Sequence, residues 1–245
     1  MLIFAHRGYS EKYPENTLLA FDKAIECGAK ALEFDVQLNA DNEAVVIHDF
    51  DLSRLSSEHK GEHIAVRDLN TEEFLELDVG AHKGEEFYDM APPLLEEVLD
   101  RYACDTYLNI KAKIKNNDDN TEVQALVKRI LELTSTLNSE NYVISSFSPT
   151  LIKVARSQSK FLPLAVLSDG LEDGFFLKEA LEIGARSYHF NGNKLLSKEK
   201  INEIKNSGLK AYAYTINTPT KATELKDMGV DGIFTDSVET MLSSS

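Results

Sequence analysis

The sequence predicts an α/β architecture, a (β/α)8 TIM barrel with a small insertion, on three observations. Apolar, β-rich runs alternate with longer amphipathic stretches along the 245 residues. Eight of those runs stay in β-α alternation once one hairpin arm is set aside, and eight parallel strands close such a barrel. Chains of roughly 250 residues also fold as one barrel of this kind, so 1–245 is read as a single domain.

The first strand is Leu2–His6, because Leu2-Ile3-Phe4-Ala5 is uniformly apolar. A helix over Asn16–Cys27 ends at Gly28, and Ala31–Leu38 is the next strand. Val45–His48 follows after only Asn39-Ala40-Asp41-Asn42-Glu43, whereas a parallel crossover needs about a dozen residues. It should therefore return antiparallel, as a hairpin arm that brings His48 back towards Glu33 and Asp35. Residues 51–92, with a charged stretch at Ser56–Glu62 and a helix-like run at Thr71–Leu77, read as an insertion capping the barrel mouth. Further strands are expected at Thr106–Ala112, Tyr142–Phe147, Pro163–Ser168, Arg186–Phe190, Ala211–Ile216 and Asp231–Thr235. Helices should fall between them over 121–136, 149–157, 172–183, 197–206 and 218–227. An open doubly wound sheet fits less well, since no glycine-rich phosphate loop follows the first strand.

Hydrophobic residues at 42% and charged residues at 27% are ordinary for a globular protein with a sizeable core. A net charge of -15 repels phosphate backbones and anionic surfaces, so nucleic acid is not an expected partner and small solutes are favoured. Two cysteines, Cys27 and Cys104, suggest reduced thiols rather than a disulfide framework. The first apolar run is too short for a secretory signal, and none approaches the ~20 apolar residues of a bilayer span. A cytoplasmic protein without a transmembrane segment is expected.

Candidate chemistry is concentrated near the start of the chain. Side chains two apart on a strand point the same way, so Glu33 and Asp35 face one cavity and can hold a divalent cation together. His6 and His48 each close an apolar run, where strands end and functional loops begin. The bland alternative is a pair of acids salt-bridged to lysines at a strand end.

His6-Arg7-Gly8, Pro14-Glu15-Asn16-Thr17, Glu33-Phe34-Asp35-Val36, His48-Asp49 and Leu52-x-Arg54 resemble the glycerophosphodiester phosphodiesterase family in order and spacing. The resemblance continues through Pro93–Leu99, Ser145-Ser146-Phe147, Tyr214-Thr215-Ile216-Asn217 and Gly229–Asp236, and so covers almost the whole chain. It implies a TIM barrel that uses a divalent cation, Mg or Ca, to hydrolyse a small-molecule glycerophosphodiester to glycerol 3-phosphate and an alcohol. That activity belongs to glycerol and lipid metabolism. Residue by residue, it implies His6 and His48 as the acid-base pair, Arg7 and Lys113 as phosphate ligands, and Glu33 and Asp35 as metal ligands. Tyr214, where the family often has tryptophan, would line the glycerol pocket. It further implies that the substrate's own glycerol hydroxyl attacks first, forming a cyclic phosphate that water opens. Histidine, with an unperturbed pKa near ~6.5, suits both proton-transfer roles.

The chain departs from the family pattern at Leu108-Asn109-Ile110-Lys111-Ala112-Lys113, where Lys111 stands in place of a glutamate that would be the third metal carboxylate. Alternation turns Asn109, Lys111 and Lys113 to one side, so Lys111 should face the cavity. A unit charge pair ~4 Å apart is worth about 4 kcal/mol at an effective dielectric of 20, so a lysine there should weaken the ordinary metal site strongly. Three outcomes follow. Lys111 swings aside and Glu33, Asp35, Asn109 and substrate oxygens still hold a cation; or its ammonium takes the cation's place; or catalysis is lost and a pseudoenzyme binds a phosphodiester or a protein. A Schiff-base lysine of the aldolase type is disfavoured, because two neighbouring acids keep an amine charged.

Other residues carry smaller expectations. Glu15 and Asn16 orient the first loop, with Asn16 equally readable as a helix N-cap. His189 reads as a satisfied structural histidine. His59, His63 and His82 should meet solvent, and Lys115 either extends the row of Lys111 and Lys113 or lies exposed beyond the strand end.

Overall fold

Parallel register closes the expected ring of strands. In the computed structural model, which describes residues 1–55, 61–115, 120–170, 174–194 and 197–244 apart from the side chains of 174–176, β1 (Leu2–His6) pairs with both β2 (Ala31–Leu38) and β9 (Gly232–Thr235). Between them run β4 (Tyr107–Ala112), β5 (Tyr142–Ser146), β6 (Leu164–Ser168), β7 (Ser187–Asn191) and β8 (Lys210–Tyr214), each parallel to its neighbours. The eight-stranded barrel is thus present, and β3 (Ala44–Val46) lies outside it, antiparallel to β2 with Val36 opposite Val46. His59 and most of the charged stretch Ser56–Glu62 lie outside the described residues, as does the start of the helix expected over 172–183.

The helices α1 (Leu18–Glu26), α4 (Asn120–Thr134), α5 (Pro149–Gln158), α6 (Gly174–Glu182), α7 (Lys198–Asn206) and α8 (Pro219–Met228) match the expected amphipathic stretches. Two more were not anticipated, α3 (Leu95–Tyr102) and α9 (Val238–Ser243). The first buries Leu95, Val98, Leu99 and Tyr102, an i, i+3, i+4, i+7 stripe that was readable but hidden behind the long insertion. The strand expected over Ala211–Ile216 ends at Tyr214, and Ile216 instead donates its N–H to the Phe234 carbonyl at 2.8 Å.

Along the axis the interior changes character within one strand period. Phe4, Ala31, Tyr212 and Phe234 form an apolar floor, with Phe4 stacked on Phe234 at 4.5 Å between centroids. Two residues further along the same strands stand His6, Glu33 and Asp236, so alternation lifts the chain from floor to polar mouth. Outside the barrel, the segment after β3 builds a separate apolar cluster from Val45, Ile47, Leu52, Leu55, Val66, Phe74, Leu77 and Val79. It includes α2 (Thr71–Leu75) and reaches the loop after β1, where Lys83 Nζ donates to the Ser10 carbonyl at 2.6 Å. Both cysteines are free thiols and exposed, and His63, His82 and Lys115 are exposed too. Among the described residues no helix is long and apolar enough to cross a membrane.

Phe4 is fully buried against three aromatic rings. Phe4→Ala should cost about 3–5 kcal/mol in chemical denaturation, whereas a loss under about 1 kcal/mol would mean the floor collapses to fill the space.

Candidate active site

The turn after β1 explains His6-Arg7-Gly8. Arg7 and Gly8 both take left-handed backbone, at φ 57° and 82°, and a Cβ on Gly8 would lie 2.6 Å from the Ala20 carbonyl carbon. Only glycine fits there, because the turn packs directly on α1. The Arg7 N–H donates to the Glu33 carbonyl at 2.8 Å and to Glu33 Oε2 at 3.1 Å, which ties the loop to β2.

Glu33 and Asp35 are 2% and 0% exposed, and the compensating charges come from both sides. Register places Lys111 beside Asp35, and its Nζ lies 2.9 Å from Asp35 Oδ1 and 3.8 Å from Glu33 Oε1. The 2.9 Å contact is an ion pair rather than an aligned hydrogen bond, so Oδ1 lacks a hydrogen-bond donor. From the other side, Arg7 Nε approaches Asp35 Oδ2 at 3.2 Å while its Nη1 donates to Glu15 Oε1 at 2.9 Å. Asn16 completes the enclosure: its Nδ2 donates to Asp35 Oδ2 at 3.1 Å and its Oδ1 accepts the Asp35 N–H at 3.2 Å. The N-cap of α1 is Thr17, whose Oγ1 accepts from Ala20, so the N-cap reading of Asn16 is corrected.

These contacts decide the charge states. Burial by itself would push Lys111 down, but Asp35 and Glu33 outweigh it and hold the ammonium above the ordinary lysine value. Burial would likewise raise Asp35, yet Lys111, Arg7, His48 and Lys113 keep it well below the usual carboxylate range. Lys113 fares differently. Burial, reinforced by Lys111 and Arg7, brings it down to about 8. Its Nζ donates to the His48 carbonyl oxygen and sits 4.9 Å above the Phe50 ring.

Each candidate imidazole carries a carboxylate on Nδ1. His6 Nδ1 lies 2.6 Å from Asp236 Oδ1, and His48 Nδ1 lies 2.7 Å from Asp49 Oδ1. Such partners favour the tautomer with the proton on Nδ1, which leaves Nε2 to exchange protons, and His6 Nε2 lies 3.9 Å from Glu33 Oε2. Asp236 is itself fixed by Asn217 Nδ2 at 2.8 Å and Ser10 Oγ at 3.0 Å. Although burial raises it, these bonds and His6 bring its carboxyl down to about 2. Asp49 and Glu15 are held by Arg54, whose Nε and Nη2 donate at 2.6 and 2.7 Å. The sequence motifs contain Asp236, Asp49 and Arg54, but no role was assigned to any of the three from the sequence.

Two clefts meet at Lys111. One is lined by His6, Glu33, Asn109, Phe147, His189 and Tyr214, the other by His48, Phe50, Lys113 and Ser148, and Lys111 borders both. Tyr214 stands at the first, half-buried, its hydroxyl donating to the Ser168 carbonyl at 2.7 Å. His189 is fully buried below the mouth; Nε2 meets Ser187 Oγ at 2.8 Å, but Nδ1 has no hydrogen-bond partner among the described residues. It is therefore only half satisfied, and burial together with Lys111 takes its pKa down to about 3, so the ring is neutral.

The donor set does not fit the divalent cation expected from Glu33 and Asp35. A third carboxylate is missing, an ammonium lies against both remaining ones, and no group of three or more His, Cys, Asp or Glu among the described residues is arranged to hold a metal.

Residues 6–240 match the model of the Glycerophosphoryl diester phosphodiesterase family. The chain is 35% identical over 237 residues to the uncharacterized Bacillus subtilis protein YqiK, covering 96% of this chain and 94% of that one. It is 33% identical over 247 residues to a glycerophosphodiester phosphodiesterase of Caldanaerobacter subterraneus subsp. tengcongensis, covering 99% and 96%. Among solved structures, the glycerophosphodiester phosphodiesterase of Thermotoga maritima superposes with a TM-score of 0.79 at 27% identity over 100% of this chain and 98% of that one. A phosphodiesterase of Oleispira antarctica, solved with the product sn-glycerol-3-phosphate, shares the fold with a TM-score of 0.88 at 24% identity, covering 100% and 96%.

The state of Lys113 generates a pH dependence. It is charged below and neutral above about 8, so affinity for a phosphodiester, whose own charge is constant in this window, should fall as pH rises through that value. Lys113→Arg should remove the step. Calorimetric titration checks this, and affinity that is flat for the natural protein from pH 7 to roughly 9 would show that Lys113 does not hold the anion.

Proposed function

The chain belongs to the glycerophosphoryl diester phosphodiesterase family, and on that footing we propose that it hydrolyses glycerophosphodiesters to glycerol 3-phosphate and an alcohol. The observation that carries the reading is the pair of carboxylate-backed imidazoles, His6–Asp236 and His48–Asp49, on the two sides of a buried cationic centre.

A phosphodiester anion repels nucleophiles, so its oxygens must meet positive charge before attack becomes favourable. Arg7, Lys111 and Lys113 supply that charge, with Arg7 held in place by Glu15 and Asp35. One imidazole Nε2 takes the proton of the glycerol hydroxyl as its oxygen bonds to phosphorus. The other gives a proton to the departing alcohol oxygen as the P–O bond breaks. The resulting cyclic phosphate is opened by water with the two proton-transfer roles exchanged, yielding glycerol 3-phosphate. Tyr214 and Phe147, whose rings meet edge-on at 5.9 Å, form an apolar wall suited to the carbon skeleton of the glycerol.

Release of glycerol 3-phosphate from glycerophosphocholine and glycerophosphoethanolamine tests the proposal. His6→Gln and His48→Gln should each lower kcat by about 10²–10⁴-fold with the fold intact by circular dichroism. No release from either diester by the natural protein, with or without added cations, would contradict it. A separate check is Asp236→Asn, which keeps the size of the side chain but offers His6 an amide. It should lower kcat by about 10²–10⁴-fold with little change in KM. Unchanged kcat would show that the carboxylate does not orient the imidazole.

A further inference from the structure

Lys111 is built into the mouth rather than merely lodged there. Its side chain is 11% exposed, and its Nζ rests between Asp35 Oδ1 and Glu33 Oε1 at the wall shared by the two clefts. An ammonium carries three N–H donors. Asp35 lies at 2.9 Å and Glu33 at 3.8 Å, beyond hydrogen-bond distance, so the two carboxylates do not use all three donors and capacity remains for a ligand at the wall the two clefts share. Asn109, one strand period below on β4, is buried with its Oδ1 unpartnered, a polar surface beneath the same point. The inner charges also balance as they stand: Glu33 and Asp35 against Arg7 and Lys111. A divalent cation entering this cluster would leave two positive charges in excess beside the ammonium, or one if it displaced the ammonium, whereas an incoming phosphodiester monoanion meets Lys113 as its counter-charge.

We propose that the Lys111 ammonium is the tethered electrophile of this site, contacting a phosphoryl oxygen of the bound diester and making binding and turnover independent of divalent cations. The inference rests on the diesterase reading for its substrate. Its chemistry is electrostatic: the ammonium stays protonated through both steps, donating hydrogen bonds to an oxygen whose charge grows as the hydroxyl attacks. A single charge is a weaker electrophile than a divalent ion, and its proximity is secured by covalent attachment to β4 rather than by affinity.

The test compares the natural protein with Lys111→Met and Lys111→Glu in excess chelator, in calcium and in magnesium. Three readouts are taken: glycerol 3-phosphate binding by calorimetry, Tm, and initial rate with glycerophosphocholine. The natural protein should bind and turn over equally in all three solutions, within about twofold, and neither cation should raise its Tm. Lys111→Met should lose about 10²–10³-fold in rate in every solution, by analogy with deleting one oxyanion donor. Lys111→Glu should acquire a calcium-dependent rise in Tm, because three carboxylates then face one cavity. Chelator-sensitive binding or rate in the natural protein would overturn the proposal, as would a calcium-induced Tm rise equal to that of Lys111→Glu. Should Lys111→Met fail to fold, the chelator and Tm arms on the natural protein still decide. Should no diester be cleaved under any condition, the diesterase reading falls, and the calorimetric and Tm arms still report on Lys111.

Discussion

Two buried carboxylates at the end of β2 impose the constraint around which the mouth is organised. Glu33 and Asp35 lie in a setting where an unpaired carboxylate costs several kcal/mol, and the loop after β1 and strand β4 bring donors and cations to them. The loop after β1 shows how far this goes. Arg7 and Asn16 both adopt left-handed backbone at φ 57°, and the Asn16 N–H donates to the Arg7 carbonyl at 3.0 Å, so both side chains converge on Asp35. Such backbone is uncommon for residues with a Cβ and is stabilised here by the charges it brings together. On the other flank, β4 contributes Lys111 through register alone.

The same arrangement reconciles an acidic protein with an anionic substrate. The chain carries a net charge of -15, yet Arg7, Arg54, Lys111 and Lys113 are gathered at one mouth. Carboxylate partners hold Arg7, Arg54 and Lys111 in place, whereas Lys113 donates to a backbone carbonyl, so its charge is the one left for an incoming anion. The imidazoles are held in different ways. His6 is bound by Asp236, 230 residues away, so its orientation depends on closure of the barrel between β1 and β9. His48 sits beyond the antiparallel arm, braced by its neighbour Asp49 and by Lys113, the residue after β4. Beneath both, a neutral, fully buried His189 packs on the aromatic floor, its ring 5.1 Å from that of Phe234.

What was legible in the sequence follows from the range of the interactions concerned. The strands, the antiparallel arm and the shared facing of Glu33, Asp35, Asn109 and Lys111 obey period-two alternation and loop-length rules that act within a few residues, and the structure has them in place. The substitution at Lys111 was visible, but its side-chain position depended on a register between strands about 75 residues apart, counted from Asp35 to Lys111. The His6–Asp236 pair was hidden for the same reason. Asn16 was ambiguous because asparagine caps helices and also hydrogen-bonds carboxylates, and Thr17, one residue on, took the cap. Helix α3 was missed although its apolar spacing was present, since a long irregular segment precedes it and its N-cap is Leu94, whose side chain has no acceptor; only Glu97 reaches back, accepting the Leu94 N–H at 2.9 Å.

The central claim is that an ammonium belonging to the chain occupies the place between Glu33 and Asp35. The most direct measurement is a crystal structure grown with calcium and glycerol 3-phosphate, with anomalous scattering used to locate the ion. The account predicts Lys111 Nζ within hydrogen-bond distance of a phosphoryl oxygen and no calcium between the two carboxylates. Calcium bound by Glu33 and Asp35, with Lys111 turned out of the cavity, would contradict it.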